Sequence, residues 1–182
     1  DAWALAMPWS LSFIAPGNTG SDLLEPANGR NIAAIGASVK SAEMERWSAS
    51  STGPTEAGTN GIFALAVGTS IQSARADGIA DSYNSGLRTS SGTSMATPGA
   101  AGVAAIIQQM VEQGWISGNE VRTNSSMSAI APNWSVEDYG NASLLLAEGF
   151  TPSGPMLRAL LALSTTQLPE EERNGGQGSL DL

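Results

Sequence analysis

The apolar positions of this chain fall into short unbroken runs, separated by glycine, proline and small polar residues. Residues 11–15, Leu-Ser-Phe-Ile-Ala, run into Pro16-Gly17-Asn18. Residues 31–38 contain Ile-Ala-Ala-Ile-Gly-Ala, and residues 61–67 read Gly-Ile-Phe-Ala-Leu-Ala-Val before Gly68. Runs of this length without polar alternation predict strands buried on both faces. The flanking Gly and Pro residues predict tight loops. The stretch 94–113 is too long for a strand and predicts a helix. Its small residues (Ala96, Gly99, Ala100, Ala101, Gly102, Ala104, Ala105) would let it lie close to a sheet, central and buried, with Gly114 as C-cap. Residues 1–9 read as the end of a helix closed by Pro8. Thr151-Pro152-Ser153-Gly154-Pro155 reads as a helix start, followed by a short apolar helix over 156–163. Residues 42–60, mostly polar, read as loop, and 72–90 read as irregular. Residues 117–142 carry mixed signals, and 144–147 read as a short helical turn. Strand runs interleaved with helices predict an α/β fold, with a mostly parallel sheet between helices.

Composition narrows the function classes. The 182 residues suit one domain or part of one. Asp plus Glu number 17 against 8 Lys plus Arg, a net charge of -9, and Lys40 is the only lysine. An acidic surface argues against nucleic acid and anionic membranes as partners. With no cysteine there is no disulfide and no thiolate metal site. The apolar stretch at 3–14 lacks the basic flank of a signal peptide, and no run reaches the length of a membrane span. The run Glu170-Glu171-Glu172 reads as a solvated loop.

The candidate chemistry lies in Ser91-Gly92-Thr93-Ser94-Met95-Ala96-Thr97-Pro98, at the mouth of the predicted long helix. A glycine turn there exposes the Ser94 hydroxyl beside free helix N–H groups, which suits a nucleophile with an oxyanion site. A serine in this place is also a common helix N-cap, contributing about 1 kcal/mol. A second candidate is Gly17-Asn18-Thr19-Gly20. Taken alone it reads as an ordinary turn. The chain contains no histidine, so the base that a nucleophilic serine needs is not among these residues.

Together these segments resemble the subtilisin-like (S8) serine proteases. Residues 91–98 are similar to that family's nucleophile motif, and residues 13–20 to its strand and Gly-Asn-x-Gly loop. In order between them, 26–38 resemble the Asn-x-Ile-x-Val-Gly-Ala strand, 47–55 the Phe-Ser-Ser-x-Gly-Pro loop, and 63–71 the Asp-Val-x-Ala-Pro-Gly strand. Residues 177–182 are similar to the Gly-rich stretch where the catalytic domain closes. Phe63 and Val67 depart from the usual Asp and Pro. Gly99 replaces a non-catalytic His, and Pro16 replaces a small residue.

The resemblance implies a serine endopeptidase, with Ser94 as nucleophile and Asn18 as oxyanion donor. Ala15, Pro16 and Gly17 would wall the pocket for the residue before the scissile bond. No cofactor is required for that chemistry. Structural calcium is common in the family, but Asp22, Glu25, Asp77 and Asp81 are dispersed and their spacing assigns no metal site. The family's chain order is Asp, His, Ser. The chain is therefore expected to be the C-terminal portion of a catalytic domain. Its partners would be a polypeptide substrate and an N-terminal part carrying Asp and His, and it would be inactive alone. Secretion is implied by resemblance only. The alternative is a catalytically inactive subtilase-like scaffold or binding domain.

Overall fold

A computed structural model describes residues 1–41, 45–55, 58, 61–113, 115, 151–168 and 176–180. Gly114, the stretches 117–142 and 144–147, and Glu170-Glu171-Glu172 lie outside the described residues. The elements are α1 (Ala2–Ala6), β1 (Ser12–Ile14), β2 (Ile32–Ser38), β3 (Ala64–Val67), β4 (Ile71–Ala74), β5 (Leu87–Ser90), α2 (Thr93–Glu112), α3 (Gly154–Leu163), β6 (Thr165–Thr166) and β7 (Ser179–Leu180). The main sheet has the order β1-β2-β3-β7-β6. Its first four strands run parallel and β6 is antiparallel to β7. This is the mixed, mostly parallel α/β sheet that the apolar runs predict.

Register explains the packing. Ile35 lies beside Ala64 and Ala37 beside Ala66, so alternate residues of β2 and β3 share one face. That face meets α2, whose Ala96, Ala100 and Ala104 form a buried stripe at a spacing of four. Methyl against methyl lets the helix approach the sheet closely, so a larger side chain in the stripe would cost about 1–3 kcal/mol through overpacking. Leu157 and Leu161 of α3 and Leu180 of β7 complete this core. Ser153 caps α3, its Oγ accepting from Met156 N at 3.3 Å.

Two expectations need correction. The long helix is buried along one stripe only: Gly102, Ala105 and Met110 are exposed, and Ile106 retains 59 % exposure. Small residues alone did not distinguish the sheet-facing side. The stretch 72–90 is not irregular but contains an antiparallel hairpin, with Ile71 opposite Ser90 and Ala74 opposite Leu87. Both its strands are largely exposed, so burial imposes no apolar alternation on their sequences. Asp77 organises the hairpin tip, accepting from Ile79 N (2.9 Å), Ser82 Oγ (2.5 Å) and Asn84 Nδ2 (3.0 Å).

Among the described residues the second sheet face is covered by a loop rather than a helix. Gly36 opens that face: a Cβ there would come 2.7 Å from Leu65 Cδ2 and 3.0 Å from Ser50 Oγ. The buried Ser50 instead accepts from Ala37 N at 2.9 Å. Arg46 Nη1 donates to Ser50 O at 3.0 Å and ties the loop down. No described helix is long and apolar enough to cross a membrane.

Candidate active site

The C-terminal ends of β1, β2 and β3 meet the start of α2. Beyond β1 the chain turns at Gly17, whose φ of +118° and Cβ position 3.0 Å from both Leu24 Cγ and Ser51 Oγ demand glycine. Leu24 N donates to Pro16 O (2.8 Å), Ser51 N to Gly17 O (3.0 Å) and Thr19 N to Ser51 Oγ (3.2 Å). Pro16 and Gly17 are buried and Ala15 partly so, which leaves Asn18 on the surface of a braced loop.

Beyond β3 the chain passes through Gly68. Gly68 N donates to Ser38 O (3.0 Å), and Gly92 N donates back to Gly68 O (2.8 Å). A Cβ on Gly68 would lie 2.6 Å from Ala37 Cβ and 2.8 Å from Gly92 O, so no side chain fits where the turn crosses the strand ends. Ser70 N donates to Ser91 Oγ at 2.9 Å. The turn into α2 is thereby pinned to the sheet.

The two halves join through Thr93, which is buried. Its N–H donates to Asn18 Oδ1 at 2.9 Å. Its hydroxyl accepts from Gly17 N (3.4 Å) and has acceptors at Gly17 O (3.3 Å) and Asn18 Oδ1 (3.1 Å). The first N–H groups of a helix have no intrahelical partner, and here their fates differ. Thr93 N–H is taken by Asn18, while Met95 and Ala96 N–H both point to Gly92 O (3.0 and 3.3 Å). Ser94 N–H has no partner among the described residues, and neither does Asn18 Nδ2. Gly92 keeps the space between these groups open: a Cβ there would sit 3.3 Å from Asn18 Nδ2. The Ser94 side chain is exposed. Pro98, lacking an N–H, leaves Ser94 C=O without its usual donor. The first turn of α2 holds no acidic side chain, so the positive end of the helix dipole faces this space unneutralised.

The arrangement can thus present a hydroxyl beside two uncharged N–H donors. The sequence pointed to Asn18 and Ser94. It did not single out Thr93, which couples them, or Ser51, which braces the Asn18 loop. The only signal for Thr93 was its place inside the octapeptide.

The sequence profile of the subtilase family matches residues 6–178. The chain belongs to the subtilase family. Solved structures agree on the fold. This subtilase chain is similar to the self-cleaved protease domain of PatA, with a TM-score of 0.62 and 24 % identity, covering 99 % of this chain and 49 % of that one. It is also similar to the patellamide maturation protease PatA, with a TM-score of 0.62, 25 % identity, and coverage of 100 % and 54 %. For the prenylagaramide maturation protease PagA the TM-score is 0.55 at 21 % identity, with coverage of 92 % and 46 %. The chain therefore spans about half the length of these proteins. Among curated proteins none matches it.

Proposed function

We propose that these residues carry the nucleophile and oxyanion half of a serine endopeptidase site. The observation that carries this reading is the pair of free donors, Ser94 N–H and Asn18 Nδ2, beside the exposed Ser94 hydroxyl. In the reaction Ser94 Oγ attacks the carbonyl carbon of a peptide bond, and the carbonyl oxygen becomes negative between the two donors. The hydroxyl proton passes to a histidine and then to the leaving amine as the C–N bond breaks. Water repeats the sequence on the acyl-enzyme, releasing the acid and restoring Ser94. Ala15, Pro16 and Gly17 would border the bound chain ahead of the scissile bond. No cofactor enters these steps.

The chain has no histidine, so the base comes from residues outside it, and by the family's order of Asp, His, Ser its aspartate does too. Among the described residues β1 is an edge strand, and its outer N–H and C=O groups suit pairing with a further strand. That edge supports an N-terminal part of the same catalytic domain as the missing partner. The substrate is a polypeptide. The likeness to maturation proteases, at 21–25 % identity, carries the fold rather than a substrate.

A fluorophosphonate probe tests the reading. It is expected to label Ser94 in the complete enzyme, meaning this chain with the segment that supplies histidine, and to leave the 182-residue chain essentially unlabelled. The lack of histidine also favours a second reading, a subtilase-like binding scaffold. Absence of labelling in the complete enzyme would select the scaffold.

A further inference from the structure

The opposite end of the sheet carries a cation that the peptidase reading does not use. Arg158 of α3 lies with its Cζ 4.8 Å from the centroid of the Phe63 ring. Its Nη1 donates to Arg30 O at 3.1 Å. Its Nε is buried and has no partner. Burial disfavours the cation and holds its pKa below the usual arginine value. Among the described residues two carboxylates beside this region have partners other than Arg158. Asp1 Oδ1 accepts from Asn31 N (2.9 Å) and Nδ2 (3.3 Å), and Glu25 Oε1 accepts from Asn28 Nδ2 (2.6 Å). Arg158 as a whole is half-buried, but a buried donor without a partner requires an explanation.

Arg158 lines a cavity of about 240 Å³ at the N-terminal ends of β2 and β3. Arg30 and Asn28 add polar groups to that cavity, and Ile32, Ala34 and Ile62 supply apolar wall. Among the described residues no Asp or Glu lines it, although the chain as a whole carries a net charge of -9. Arg158 also borders a second cavity of about 200 Å³ beside α1. The seven residues of β2 put the Arg158 cavity roughly 20 Å from the Ser94 end of the sheet, at about 3.3 Å per residue. The two places are therefore distinct.

We propose that the 240 Å³ cavity between Arg30 and Arg158 binds a carboxylate carried on a small apolar body. The Arg158 guanidinium supplies the counter-charge, Arg30 borders the same cavity, and the aliphatic wall accepts the carbon part. A fully hydrated oxyanion such as phosphate would leave that wall without a contact. The volume lies below the roughly 300 Å³ at which drug-sized pockets begin, so the occupant is a small free acid or a single acidic side chain of a polypeptide.

The test follows the arginine Nε–H resonances and backbone amides of this chain, ¹⁵N-labelled within the complete enzyme, at constant ionic strength. Butyrate is expected to shift Arg158 Nε–H and the Ile32 and Ile62 amides with saturation. Phosphate should act at least tenfold more weakly, and R30Q should weaken butyrate several-fold. R158Q should abolish the saturable shifts. Shifts that rise linearly and match those from chloride, or that survive in R158Q, would overturn the site. Should R158Q fail to fold, n-butanol serves as the control on the unmodified chain: shifts equal to those from butyrate would equally overturn it. The acidic tripeptide Ac-Gly-Glu-Gly-amide separates the two sources. Tighter binding than butyrate makes the occupant a polypeptide side chain, weaker binding makes it a free acid, and both support a carboxylate site.

Discussion

The two ends of the sheet differ in the free donors they turn toward a ligand. At the C-terminal end Asn18 Nδ2 and Ser94 N–H are free and belong to exposed residues, the buried Thr93 is fully engaged, and the neutral Ser38 hydroxyl is buried without a partner. At the N-terminal end the group left free is Arg158 Nε, and it is buried. A free donor in contact with water costs little and remains available to a ligand. The same donor out of water costs about 1–3 kcal/mol, more when charged. The first end suits a visitor that comes and goes, and the second one that stays.

The largest effect that tests this contrast is removal of the hydroxyl. In the complete enzyme Ser94→Ala should lower kcat by on the order of a millionfold, the loss known for the nucleophile of subtilisin itself. Steady-state hydrolysis of a peptide substrate measures it, and a loss below tenfold would remove Ser94 from the chemistry.

Asn18 comes next, because its two side-chain atoms have separate duties. Asn18→Ala should reduce kcat by about a hundredfold to a thousandfold with KM little changed, as for other oxyanion donors. Asn18→Asp is the sharper variant. It keeps an acceptor for Thr93 N–H but loses the donor and adds a negative charge. Its melting temperature should stay close to that of the unmodified chain while kcat falls at least as far as in Asn18→Ala. Retained turnover in Asn18→Asp would mean that Asn18 only braces the turn.

Gly68→Ala asks how firmly the nucleophile turn is held. Its methyl would meet Ala37 Cβ at 2.6 Å and Gly92 O at 2.8 Å, a backbone contact that cannot swing aside. Stability should fall by about 1–3 kcal/mol, as for other overpacked sites, measured by denaturant unfolding. An unchanged midpoint would show that the turn can shift away from the strand ends.

The smallest effect lies in the exposed hairpin tip. Hydrogen bonds from Ser82 first, then from Ile79 N and Asn84, lower the Asp77 pKa. A lowered carboxyl pKa stabilises the fold above its ordinary value, and that contribution is lost as pH falls through the folded value. Amide exchange over residues 79–84 should therefore quicken below the usual aspartate range. Asp77→Ala should produce the same quickening at neutral pH without moving the main unfolding transition. Unaltered exchange in that variant would show that the tip is ordered by other contacts.

Much of the chain was readable in advance because its signals are local. Short apolar runs placed β1, β2 and β3, and Ser153 ahead of Pro155 marked the start of α3. The hairpin was not readable, since exposed strands such as Ile-Gln-Ser-Ala and Leu-Arg-Thr-Ser carry no burial pattern. Nor was the buried stripe of α2, because Gly102 and Ala105 are as small as Ala100 and Ala104 yet face solvent.

By itself, then, the sequence determined the α/β class, the octapeptide at the mouth of a helix, and the absence of a histidine to serve it. Those depend on neighbours along the chain or on simple counting. Only the tertiary structure decided which donors remain free. Asn18 and Thr93 are 75 positions apart, and Arg158 lies 128 from the Arg30 carbonyl it holds. A hydrogen bond is satisfied in space rather than along the chain. Whether a polar group is engaged, exposed or stranded is therefore settled only when distant strand ends and helix starts are brought together.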